Sequence, residues 1–185
     1  MRITINPGLW WVALLLLVSG CQHAPSRTGF YSSPLLPGDE VEILRDVVVP
    51  AELARVYLQH GKLAKYGGFD QYAPFCYFLL RDPMPAEQII QPGVLVVEKA
   101  WLNQTTTSLE LPVRVASALF AGAGQPLMAW QFHITLRAAD DSRLTLVCSG
   151  AFDGPAGAEP IRLPEVREAL GQYAGIRVKE TPAGR

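Results

Sequence analysis

The chain has 185 residues, with 16 basic and 17 acidic side chains and a formal net charge of −1 when histidine is neutral. Domains that bind nucleic acid carry clustered positive charge, and nothing here suggests that class of partner, so none is expected. A length of this order with 49% hydrophobic residues suits one globular domain with a sizeable core.

In chain order, residues 1–20 read as an export signal. Arg2 and the free amino terminus form its basic start, and residues 9–18 are an uncharged apolar run. That run is well short of the ~20 residues a helix needs to cross a bilayer, so a permanent anchor helix is not expected. It ends in Val18-Ser19-Gly20-Cys21, which resembles the lipobox of bacterial lipoproteins: an aliphatic residue, two small ones and a cysteine. The thiolate is the nucleophile that takes a diacylglyceryl group, and the small residues let the backbone fit a peptidase site. Cys21 is therefore the expected lipidation site; the alternative is an ordinary thiol behind an ordinary secretion signal. One acyl chain, at ~0.8 kcal/mol per buried methylene, holds marginally, whereas the two or three palmitate-type chains of a lipoprotein hold durably. Residue 22 is Gln, where Asp would mark inner-membrane retention in the enteric lipoproteins that this leader resembles. The resemblance thus implies an outer-membrane, periplasm-facing protein, with the inner membrane as the open alternative. Removal of residues 1–20 takes Arg2 and no acidic group, leaving 165 residues with 15 basic and 17 acidic groups, a net charge of −2.

Residues 21–38, rich in Pro, Ser and Gly and without regular period, read as a lipidated flexible tether. A single domain is expected over 39–178, and a disordered tail over 179–185. Strand-like runs fall at 41–49, 74–81 and 94–101. Residues 51–60 fit two patterns, because Leu53, Val56, Tyr57 and His60 recur at helical spacing while Ala54, Val56 and Leu58 alternate; strand is preferred. The clearest element is a β-hairpin over 129–149. In it Trp130, Phe132, Ile134 and Leu136 share one face, Gln131, His133, Thr135 and Arg137 the other, and Ala139-Asp140-Asp141-Ser142 turns the chain. Residues 163–171 predict a short helix with Pro and Glu in its first turn, Gly171 as its stop, and Val166, Ala169, Leu170 and Tyr173 as its buried stripe. The class expected is mainly β, from all-β to α+β: an antiparallel sheet or a small sandwich or barrel with one short C-terminal helix.

Cys76 and Cys148 each lie in a strand-like apolar run, and an exported protein meets an oxidising compartment, so pairing is expected. Their bridge closes a loop of roughly 73 residues and stabilises by up to about 4 kcal/mol on the chain-entropy model. Two separate buried thiols are the alternative. The order of features resembles a family of proteobacterial lipoproteins with a short β domain. The residues that carry the resemblance are Ala54-Arg55-Val56-Tyr57-Leu58-Gln59 with Gly61, Asp70-Gln71-Tyr72, Pro74 to Cys76, Leu146 to Cys148, and Leu170-Gly171-Gln172-Tyr173. It implies strand at 51–60 and the paired cysteines, and it implies no activity.

Reaction-specific motifs are missing. His23, His60 and His133 show no zinc-type spacing, so no metal or cofactor is expected. Ser149 beside Gly150 lacks the frame of a nucleophile elbow, and a thiol nucleophile would need a free Cys76 or Cys148 near His60 or His133. Two segments invite recognition. Residues 66–74 mix glycine, aromatics and a carboxylate, with Phe69, Asp70, Gln71 and Tyr72 as the candidate contacts; the other reading is a turn whose aromatics cap the core. Residues 116–128 are small and apolar, suited to touching lipid or a partner, or to covering a sheet edge. The functional expectation is a lipid-anchored, non-enzymatic envelope lipoprotein that binds another envelope component or assists envelope assembly. A carrier or sensor of a small apolar ligand and a cell-wall hydrolase are the alternatives.

Overall fold

The computed structural model describes residues 29–64, 67–107 and 127–179. Cys21, His23, the expected signal and nearly all of residues 116–128 lie outside them. The elements are β1 (Glu40–Ile43), β2 (Val47–Val49), β3 (Arg55–Gln59), β4 (Lys62–Ala64), β5 (Phe75–Leu79), β6 (Gln88–Ile90), β7 (Gly93–Thr107), β8 (Leu127–Arg137), β9 (Arg143–Ser149), α1 (Leu163–Leu170) and β10 (Ala174–Arg177). Eight strands form one sheet in the order β10-β1-β7-β8-β9-β5-β3-β4, every pair antiparallel, and β2 and β6 form a second, two-stranded sheet. The large sheet curls into a half-barrel around α1, so the fold is mainly β with one short helix.

Alternation explains the two faces of the sheet. On the concave face Val56, Leu58, Cys76, Phe78, Ile134, Leu136, Leu146 and Cys148 join Val166, Ala169 and Leu170 of α1 in the main core. On the convex face Tyr57, Phe75, Tyr77, Ala129, Val147 and Phe152 form a second cluster. A strand buried on both faces loses its alternation, which is why 51–60 fits two periods in sequence. The structure makes it strand, closed by a two-residue turn with His60 (φ 49) and Gly61 (φ 68) both left-handed.

The expected hairpin is present: Gln131 pairs with Ser149 and Arg137 with Arg143. The helix spans Leu163–Leu170, buries Val166, Ala169 and Leu170, and is followed by Gly171 at φ 51. Cys76 and Cys148 are directly opposite each other on β5 and β9 and form the disulfide, both sulfurs lying in the main core.

Three expectations change. Residues 41–49 are not one strand: β1 joins the large sheet and β2 the small one, because exposed Arg45 and Asp46 break the apolar run and Leu44 N–H turns to the Tyr173 carbonyl. The strand expected at 94–101 is longer, and a bulge between Val97 and Lys99 shifts its register so that Val97 and Ala100 both face the core. The last part of the segment read as tether packs instead. Leu35 is fully buried, and the Asp39 carboxylate, 1% exposed, accepts the backbone N–H groups of Leu36 (2.7 Å) and Lys179 (2.9 Å), tying both ends of the domain together.

Candidate functional site

The convex face carries a lateral row of side chains fixed by register: Tyr57 opposite Tyr77, Tyr77 opposite Val147, Val147 opposite His133, and His133 opposite Trp101. At one end Phe69 stacks on Tyr57 (4.5 Å, 15°) and packs against Phe75 (4.6 Å), while Arg55 lies over the Tyr77 ring at 5.6 Å. At the other end the half-exposed Trp101 stacks on His133 (5.3 Å, 18°), with Lys99 Nζ 5.1 Å from the indole centroid. His133 Nε2 is buried without a hydrogen-bond partner, and burial depresses the imidazole's pKa.

Of the candidate loop residues, Phe69 belongs to the convex cluster. Asp70 is held by Gln59, whose Oε1 accepts the Asp70 N–H (2.8 Å) and whose Nε2 donates to the carbonyls of Asp70, Ala73 and Pro74. The Asp70 carboxylate accepts the Tyr72 N–H at 2.8 Å, and the Gln71 carbonyl accepts the Phe152 N–H. Tyr72 projects into solvent at 60% exposure, and Asp70 is also exposed, whereas Phe69 and Gln71 are partly buried. Gln59 and Asp70 thus brace the loop.

The other candidate chemistry does not converge. His60 reaches Glu168 (2.9 Å) on the surface, far along the sheet from the Trp101 stack, and the disulfide occupies both thiols that a cysteine nucleophile would require. Ser149 Oγ donates to the Gly150 carbonyl. Among the described residues no group of three or more His, Cys, Asp or Glu side chains could hold a metal ion, and no helix is long and apolar enough to cross a membrane.

A surface that sequence reasoning missed lies at the open edge beyond β4. Val48, Pro50, Leu53, Val56, Leu63 and Ala64 line an open hollow of about 510 Å³ with Arg55 as its charged member. Val48, Leu53 and Leu63 are each more than a third exposed, and Ile89, paired with Val48 across the small sheet, is 57% exposed. These side chains come from β2, β6, the following turn and β4, so no single stretch of sequence signals the patch. Among the described residues β4 pairs with β3 alone, and its other edge there offers backbone donors and acceptors alongside the apolar ledge.

These features define a small disulfide-linked antiparallel β protein, a half-barrel closed over one helix. In comparisons with family models, curated proteins and solved structures, nothing matches the chain.

Proposed function

We propose that the chain is a lipid-anchored envelope lipoprotein, tethered through Cys21, whose β domain binds another envelope component and performs no catalysis. The observation that carries the binding role is the exposed apolar ledge of Val48, Leu53, Leu63 and Ile89 beside β4, the last strand of the large sheet among the described residues. Scattered exposed apolar residues are ordinary, but a contiguous patch next to the edge strand of a sheet is the form of a docking surface. The lipobox-like Val18-Ser19-Gly20-Cys21 and the internal disulfide both suit an oxidising, exported location. A carrier would need an enclosed apolar cavity, whereas α1 fills the concave side of the sheet with Val166, Ala169 and Leu170.

The test places a photo-crosslinking amino acid at Leu63 in cells and compares it with one at exposed Asn103 on β7, five strands from β4 in the large sheet. A discrete adduct from position 63 that disappears in the Leu53→Asp/Val48→Asp background, with the fold intact by circular dichroism, supports docking on this ledge. Equal labelling from both positions, or none from position 63, overturns it.

A further inference from the structure

We propose that the face where the chain enters the domain, built from Phe30, Tyr31 and the adjoining groove, rests on the lipid surface and orients the domain with its β8–β9 turn pointing away. This inference rests on the reading of Cys21 as the lipid anchor. Phe30 and Tyr31 are 55% and 59% exposed, yet they are ordered against each other edge-on at 4.8 Å, and Tyr31 is edge-on to Trp130 at 5.2 Å. Exposed rings held in place on a folded surface suit the bilayer interface, where amphipathic aromatics settle at headgroup level. Beside them runs a groove of about 390 Å³ whose apolar walls include Pro34, Pro160 and Leu163. The charged residues among the groove's described lining, Glu159 and Arg162, neutralise each other at 2.6 Å, so filling the groove desolvates no unpaired charge among them.

The length of chain selects a bilayer as the occupant. From Cys21 to Gly29 is eight residue steps, which span at most about 29 Å when fully extended and on the order of 16 Å as a flexible coil. A domain of this size has a radius of gyration of about 14 Å, hence a width of roughly 37 Å. A tether shorter than the domain is wide keeps its entry face toward the membrane. The two ends also differ in polarity. The β8–β9 turn lies roughly 23 Å along β8 from Trp130, and it carries Asp140, Asp141 and the Glu98–Arg137–Arg143 ion cluster.

The experiment uses the full-length precursor expressed in a Gram-negative host, purified and reconstituted in phosphatidylethanolamine/phosphatidylglycerol vesicles. An environment-sensitive fluorophore is attached through Ser32→Cys or, separately, Ala139→Cys, and lipids with a headgroup-level nitroxide serve as quencher. Intact mass is measured first. With acylated protein, the expected result is quenching several times stronger at position 32 than at 139, and weaker at 32 once Phe30→Ser and Tyr31→Ser are added. Acylated protein with equal quenching at the two positions, or with quenching at 32 indifferent to the two aromatics, overturns the orientation and leaves the anchor standing. A product without acyl mass overturns the anchor and this inference together.

Discussion

At the scale of single residues, the contact of Gly61 with Gly171 joins two segments far apart in sequence. A Cβ on Gly171 would come within 2.2 Å of the Gly61 Cα, and both residues sit at positive φ. The Gly61 N–H meanwhile donates to the Ala169 carbonyl at 3.1 Å, docking the β3–β4 turn on the end of α1. Gly171→Ala therefore meets both a clash with backbone and an unfavourable φ, and it is expected to cost about 2–4 kcal/mol in urea denaturation. His133 supplies a test by pH. Burial lowers its folded pKa below the ordinary 6.5, so the unfolded chain takes up the proton first, and stability declines as pH falls below that value. His133→Gln is expected to flatten the slope of denaturation midpoint against pH between neutrality and pH 5. Glu98 acts in a lower window: the hydrogen bond from Arg143, aided by the charges of Arg143 and Arg137, holds its carboxyl below the usual 4.5, so its contribution is lost only in stronger acid.

At the scale of elements, the disulfide clamps β5 to β9 at the centre of the sheet, with its sulfurs inside the main core. Cys76→Ala/Cys148→Ala is expected to lose about 2–5 kcal/mol, read from thermal and denaturant midpoints. Free-thiol titration of the unreduced protein should find neither cysteine reactive; two titratable thiols in the folded protein would remove the clamp from this account. The β8–β9 hairpin was legible because one of its faces is apolar and the other polar. β4, β6 and β10 were not, for they have only three or four residues each, too few to establish a period, and they are strands because of the partners they meet.

At the scale of the whole molecule, the expected arrangement is a β domain held at a membrane by its amino terminus. The membrane-extracted product is expected to have the mass of residues 21–185 plus two or three acyl chains, and Cys21→Ser is expected to release it into the soluble periplasmic fraction. A soluble, unacylated product from the unaltered sequence would sink the anchor.

The sequence by itself determined the mainly β class, the hairpin and the helix that buries Val166, Ala169 and Leu170, because each depends on local periodicity. It made the pairing of Cys76 with Cys148 an expectation, which the register of β5 against β9 decided. Tertiary structure decided the rest. It split 41–49 between two sheets, drew Leu35 into the core, set Phe69 and Asp70 to bracing a loop, and gathered Val48, Leu53, Leu63 and Ile89 into one exposed ledge. Those outcomes depend on which distant strands become neighbours, and hydrophobic pattern records how much of a residue is buried but not what lies against it.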